Sequence, residues 1–159
     1  MPSLVRVATA PPTVLQNQTV NWLVDTDLLS ERTKPRPDAK VLKWLEENSA
    51  AIDTSSHVIA ELQASIALPA DRARKRALQA WLNRLVEAME GRILNFNTTV
   101  ATVWGRQEAE FSQNGCPMPM PDSFNAATAR RHHLTIATRN VGDYERPGLK
   151  VTDPTQSAP

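Results

Sequence analysis

The 159-residue sequence contains only one cysteine and five glycines, and its 18 Lys and Arg residues nearly balance 17 Asp and Glu residues. A single cysteine excludes a disulfide scaffold and a cysteine-based zinc or iron–sulfur site, and it suits a reducing cytoplasm. No apolar run approaches the ~20 residues that cross a bilayer, and the N-terminus lacks the continuous apolar core of a secretory signal. A formal net charge of +1 argues neither for nor against a nucleic-acid partner, so any electrostatic argument depends on where the charges lie.

The two ends of the chain differ in composition from its middle. Residues 1–19 are rich in Pro, Thr, Ala and Gln and have no period, so we expect a disordered leader. Residues 154–159 are expected to form a short tail. Residues 20–153 are long enough for one domain with a substantial core.

Short apolar runs alternate with helical periods across residues 20–153. The runs that predict strands are 21–25, 52–55, 93–96, 134–138 and 149–151. The helical periods begin near Asp38, Val58, Asp71, Thr98 and Pro121. Because these helices are long enough to serve as crossovers, the pattern predicts an α/β protein with a mostly parallel central sheet covered on both faces, a three-layer α/β/α domain.

Acidic side chains from separate segments are predicted to meet at one edge of this sheet. Asp25 ends the first strand, Glu61 lies early in the helix after the second, and Asp122 opens the helix after a Pro-rich loop. Asn140 and Asp143 follow the fourth strand. Because ligands of such sheets bind outside the carboxyl ends of the strands, this edge is the candidate site.

Carboxylates gathered in this way favour a divalent cation. Two charges ~4 Å apart repel by roughly 4 kcal/mol at an effective dielectric constant near 20, and Mg²⁺ or Mn²⁺ prefers an all-oxygen shell. Since the chain has no Gly-rich phosphate loop, such a pocket indicates phosphodiester hydrolysis. Each carboxylate also has an ordinary structural explanation, and Asp122 after Pro121 is a good candidate for a helix cap.

Several segments carry a family resemblance: Val24–Glu31 with Lys34–Pro37, Val58–Leu62, Ile93–Phe96, Asp122–Ala129 and Thr138–Tyr144. In this order and with these gaps, over about residues 22–154, they resemble PIN-domain ribonucleases of the VapC toxin type. The resemblance implies a cytoplasmic endoribonuclease that uses Mg²⁺ or Mn²⁺ to cleave single-stranded stretches of RNA, such as tRNA or ribosomal RNA. It also implies the toxin half of a type II toxin–antitoxin pair, a homodimer neutralised by a small antitoxin protein.

The resemblance assigns roles by position. Asp25 and Asp122 would hold the metal directly, and Glu61 would complete the pocket directly or through water. Asp143 is our choice for the fourth acidic position. Three further residues are placed as supporting ones: Asn140, Thr138 and Asp27.

Three departures from the family pattern stand near these positions. Asp27 replaces the usual Asn and adds a negative charge two residues from Asp25. Asn125 stands where an aliphatic residue is usual, so it either faces the site or costs some packing. His57 and Val58 occupy a stretch where Val-Thr is more common, so a supporting hydroxyl is expected to be missing.

Two other functions fit parts of the sequence. Asp25-Thr26-Asp27 superficially suits a phosphatase with an aspartate nucleophile, although no lysine stands out as its phosphate contact. A PIN-like module that binds RNA or a peptide after losing catalysis is the non-enzymatic alternative. For RNA, the basic residues that flank the motifs are candidate phosphate contacts: Arg32, Lys34, Arg36, Arg130, Arg131 and Arg139.

Overall fold

The computed structural model describes residues 20–68 and 70–156. The predicted disordered leader, residues 1–19, lies outside the described residues, as do residues 157–159 of the predicted tail. The domain limits at 20 and 153 therefore stay a prediction.

Five strands form one parallel sheet in the spatial order β3-β2-β1-β4-β5. Their bounds are β1 Trp22–Val24, β2 Ile52–Ser55, β3 Ile93–Leu94, β4 Thr135–Ala137 and β5 Val151–Thr152. All four pairings are parallel, and β1 lies in the middle with Trp22 beside Ile52 on one side and Thr135 on the other. The predicted α/β class with a mostly parallel sheet is confirmed.

Seven α-helices connect and flank these strands in the described residues. Their bounds are α1 Thr26–Leu29, α2 Ala39–Glu47, α3 Ser56–Ala67, α4 Arg72–Ala88, α5 Thr98–Gln113, α6 Met120–His132 and α7 Val141–Tyr144. Asp38 and Asp71 cap α2 and α4 by accepting backbone N–H bonds, at 2.8 and 2.9 Å. The cap of α5 is Asn97, the residue before its first turn, which accepts from two backbone N–H groups.

The core is divided by the sheet into two apolar clusters. Within β1, Leu23 belongs to one cluster and Val24 to the other, and Ile136 and Ala137 alternate in the same way in β4. This alternation follows from the two-residue period of a strand. Helices α2–α4 supply the cluster that contains Val24, and α5 and α6 supply the other, which gives the three layers. None of the helices in the described part of the chain has the length and apolar character needed to span a membrane.

Candidate active site

The central strand β1 has β2 on one side and β4 on the other. The candidate site lies where the carboxyl ends of β1 and β4 meet. Asp25 follows β1 and is 7% exposed. Its Oδ2 accepts a hydrogen bond of 2.5 Å from the hydroxyl of Thr138, which follows β4, and its Oδ1 accepts the backbone N–H of Leu28 at 3.1 Å. Asp25 therefore caps α1 and joins the ends of two neighbouring strands.

Glu61 lies in the second turn of α3 and approaches Asp25 from the β2 side. One of its carboxylate oxygens accepts a hydrogen bond from the hydroxyl of Thr26, the residue after Asp25. The other oxygen lies 3.6 Å from Nε2 of His57, one turn earlier in α3. Thr26 thus supplies a hydroxyl to Glu61, although the sequence lacks the hydroxyl expected at Val58.

Asp122 lies inside the first turn of α6 rather than at its cap. Pro119 occupies the cap position and makes no side-chain capping bond, so the alternative explanation of Asp122 as a helix cap is wrong. The Asp122 carboxylate lies within the electrostatic influence of Asp143, Tyr144 and Glu61.

The electrostatics of this group are unfavourable in the absence of a cation. Burial raises the pKa of Asp25 to about 6, and the charges of Asp27 and Glu61 act in the same direction. Burial also raises the pKa of Asp122, and repulsion by Asp143 and Glu61 adds to the rise. These carboxylates therefore lie close enough to oppose one another's ionisation, which is the situation that a bound cation relieves.

A family model described as PIN domain matches residues 22–146, a span that includes all of these carboxylates. This chain belongs to the PIN-domain family. It is 31% identical over 134 residues to toxin FitB of Neisseria gonorrhoeae, an alignment that covers 83% of this chain and 96% of FitB. It is 29% identical over 140 residues to VapC ribonuclease Y4jK of Sinorhizobium fredii, with 86% and 99% covered. The crystal structure of FitAcB from Neisseria gonorrhoeae matches it with a TM-score of 0.79 and 30% identity, covering 84% of this chain and 97% of that one.

The fold of this PIN domain brings the predicted site residues to one edge of the sheet, but not to equal depth. Asp25 and Thr138 are buried, and Glu61 and Asp122 are half-buried. Asn140 and Asp143 are exposed on the rim, where the backbone N–H of Asn140 donates to the Thr138 hydroxyl at 3.0 Å. The catalytic and metal-binding roles assigned to these residues stay predictions.

Asp27 belongs to an ion network beside the site. Nζ of Lys34 and Nε of Arg139 each donate to its carboxylate at 2.7 Å. Glu31, only 1% exposed, accepts from the same two cations at 2.6 and 2.8 Å and from the backbone N–H of Asp38 at 2.7 Å. Burial by itself would raise the pKa of Asp27 and of Glu31, but the two cations hold both below their ordinary values.

This network has two consequences for the sequence hypotheses. The negative charge that Asp27 adds is paired with cations on its own side of the pocket. An aspartate-nucleophile phosphatase would need a lysine free to contact phosphate, and Lys34, the lysine beside this site, has its ammonium group bound to two carboxylates. The structure therefore offers no specific observation in favour of that phosphatase.

Three functional candidates were missed or only partly recognised from the sequence. Ser55 and Tyr144 do not stand out in the sequence, and Asn125 does so only as a departure from the family pattern. The structure shows that Asn125 is buried and hydrogen-bonded to both of the others. The usable signal was a polar residue three positions after Asp122, since that spacing places both on one face of a helix.

The donor set of the site suits a hard divalent cation, because it consists of carboxylate oxygens. Across residues 20–68 and 70–156, however, no three His, Cys, Asp or Glu side chains are already gathered as ligands around one point. Mutual repulsion keeps like charges apart, and Asp25 and Glu61 each have a hydroxyl partner instead. The chemistry therefore fits Mg²⁺ or Mn²⁺, and the carboxylates would have to draw closer to bind it.

Proposed function

We propose that this chain is a Mg²⁺- or Mn²⁺-dependent endoribonuclease that cleaves single-stranded RNA and acts in the cytoplasm as the toxin of a type II toxin–antitoxin pair. The observation that carries the proposal is the approach of Asp25, Glu61 and Asp122, from three different elements, at the edge where β1 and β4 end. Two of these carboxyls have raised pKa values, as expected of anions that need a cation. The names of the relatives, a toxin and a VapC ribonuclease, support the same function.

Asp25 and Asp122 are the residues that would hold the metal, with Glu61 binding it directly or through water. Thr138 and the N–H of Leu28 each occupy one lone pair of Asp25, and a carboxylate has about four such positions. Asp25 therefore keeps acceptor capacity while its orientation is fixed. When bound, the metal would supply positive charge to the phosphate and lower the pKa of a water molecule.

We assign to Glu61 and Asp143 the positioning of the metal and of the attacking water. In the proposed step the water oxygen forms a bond to phosphorus while the bond from phosphorus to the 3′ oxygen breaks. One of the two carboxylates accepts the water proton, and the leaving 3′ oxygen takes up a proton from solvent water. The products are a 5′-phosphate and a 3′-hydroxyl, a pattern that follows from the family resemblance.

The RNA must approach an acidic pocket, so cations at the rim are needed to bind its backbone. Lys34, Arg130 and Arg139 are engaged in ion pairs with carboxylates. Arg32, Arg36 and Arg131 are exposed, and we propose these as the phosphate contacts. We further propose tRNA or ribosomal RNA as substrate, a homodimer, and a small cognate antitoxin as partner.

Induced expression of the wild type and of Asp25→Asn tests the function. Wild type should arrest growth and cleave RNA with Mg²⁺ or Mn²⁺ but not with EDTA, and Asp25→Asn should do neither. Asp71→Asn is the matched control, because it makes the same chemical change at an exposed helix cap where Asn also caps well. Cleavage by Asp25→Asn at the wild-type rate, or full cleavage in EDTA, would contradict the proposal. Wild-type binding of RNA without cleavage, equal with and without Mg²⁺, would instead favour the binding module.

A further inference from the structure

Four aromatic side chains pack together beside the carboxylates, with Phe124 at their centre. The ring centroid of Phe124 lies 5.2 Å from that of His57. It lies 4.9 Å from the centroid of Phe96 and 5.4 Å from that of Trp104. These distances fall within the range of stabilising aromatic pairs, so the four residues form one packed unit, which we call the aromatic cluster.

The topology of the sheet places the aromatic cluster at the same edge as the acidic residues. Phe96 follows the carboxyl end of β3 as Asp25 follows that of β1, and only β2 lies between these two parallel strands, so their ends are about 10 Å apart. His57 connects the two regions. Its Nε2 lies 3.6 Å from a carboxylate oxygen of Glu61, and its ring packs against Phe124. The aromatic cluster therefore adjoins the candidate active site.

The aromatic cluster borders an open cleft of about 270 Å³. The cleft is lined by Phe96, Phe124 and His57, together with Ser56 and Ala60 of α3. Phe96 is 36% exposed, whereas Phe124 and His57 are half-buried. A ligand in this cleft would therefore meet an accessible aromatic ring that is supported by others behind it.

Hydrogen bonds to neighbouring elements hold the aromatic cluster in place. The hydroxyl oxygen of Ser56 accepts the backbone N–H of Phe96 at 3.2 Å, which ties the segment after β3 to the start of α3. Nε1 of Trp104 donates to the hydroxyl of Ser123 at 2.9 Å, and that hydroxyl donates to the carbonyl of Met120 at 2.8 Å. Because these rings are fixed before a ligand arrives, little conformational freedom is lost when one binds.

We propose that Phe96 and the cleft beside it form a stacking site for a nucleobase that flanks the scissile phosphate of single-stranded RNA. This inference rests on the proposed function, since it names how the same site would bind its substrate. Unpaired bases are commonly bound by stacking on aromatic side chains, whereas the bases of a duplex are stacked on one another. The carboxylates of the pocket repel phosphate groups, so an uncharged contact beside them supplies affinity that they cannot.

The protein side of this contact is tested by steady-state cleavage, at saturating Mn²⁺, of a single-stranded oligoribonucleotide that the wild type cleaves at one position. Phe96→Leu keeps an apolar side chain but removes the flat ring, and we expect KM to rise about 10-fold with kcat little changed. Phe96→Tyr keeps the ring and should retain the wild-type KM within about twofold. The control Val86→Ala trims an apolar side chain of equal exposure, 37%, in α4 and should leave KM unchanged.

Changing the RNA separates stacking from a structural effect of the substitution. The same oligoribonucleotide is made with one abasic nucleotide at each position that flanks the cleaved bond. At one of these positions the missing base should raise the KM of the wild type about 10-fold. Phe96→Leu should cleave that RNA with no further rise in KM, because the ring and the base belong to one contact. Urea unfolding should show that all variants are folded.

The outcomes distinguish this inference from the proposed function. A wild-type chain that cleaves no RNA would overturn both. A wild type that cleaves RNA, beside a Phe96→Leu variant with the same KM, would overturn only the stacking site, as would additive effects of removing the ring and the base. If Phe96→Leu cleaved RNA as the wild type does but were no longer neutralised by the cognate antitoxin, the cleft would be a contact for that protein and the inference would be wrong.

Discussion

Asp25→Asn should stabilise the cation-free protein while it removes the proposed activity. Burial holds the pKa of Asp25 at about 6 in the folded state, against an ordinary value of 3.8. The folded chain therefore binds more protons than the unfolded chain between about pH 4 and pH 6, and the free energy of unfolding falls as the pH rises through this range. Asn carries no charge, so the variant does not lose this stability.

The magnitude follows from the shift. A difference of about two pKa units corresponds to about 3 kcal/mol when the carboxylate is fully ionised, at pH 7.5, and to about 1 kcal/mol at pH 4.5. Asn can still accept the N–H of Leu28 and cap α1, and its amide can donate to the hydroxyl oxygen of Thr138, so few contacts are lost. We expect a net gain of about 1–3 kcal/mol at pH 7.5.

Urea unfolding in EDTA at both pH values measures this gain, with Asp71→Asn again as the control. The gain from Asp25→Asn should be about 2 kcal/mol larger at pH 7.5 than at pH 4.5, and the control should show no such difference. Adding Mn²⁺ should then stabilise the wild type but not Asp25→Asn. An Asp25→Asn variant that is no more stable than wild type at pH 7.5, or equally stabilised at both pH values, would refute the reasoning.

Two further substitutions test the parts of the fold that support the site. Arg139→Ala leaves the buried Glu31 with one cation fewer. Because Arg139 is itself 28% exposed, we expect the free energy of unfolding to fall by about 3 kcal/mol, near the lower end of the range for a broken buried pair. The control Arg131→Ala, at an exposed position, should change the free energy of unfolding in urea by less than ~0.5 kcal/mol. Leu82→Ala leaves a cavity in the core, because Leu82 is only 2% exposed, and should lower the free energy of unfolding by about 2–5 kcal/mol. Leu68→Ala, at 84% exposure, should have almost no effect on thermal unfolding. Equal losses within either pair would contradict the burial on which these expectations depend.

The sheet and its crossover helices could be predicted because their signals are local. The apolar run around Leu23, the cap at Asp71 and the left-handed glycine at Gly115, which follows α5 with a φ of 66°, each act within a few residues of their own position. The approach of Asp25 and Asp122 could be expected for a similar reason, because parallel strands with right-handed crossovers bring strand ends to one edge.

The hydrogen-bond partners of the site could not be predicted in the same way. Lys34 and Arg139 looked like candidate phosphate contacts, and only the fold shows that both neutralise Asp27 and Glu31, the latter 108 residues from Arg139. Short helices such as α1 and α7 have four residues each, which is too few for a recognisable period. Tyr144 lies in α7, and only the fold shows that its hydroxyl accepts a hydrogen bond from Asn125.

The bond between Asp25 and Thr138 joins residues 113 positions apart, and this separation has a consequence during protein synthesis. At about 5–20 residues per second, Thr138 is added to the growing chain roughly 6–20 s after Asp25. Until β4 has left the ribosome and paired with β1, the aspartate has no strand beside it on that side. A nascent or prematurely terminated chain therefore carries the first acidic motif without the pocket.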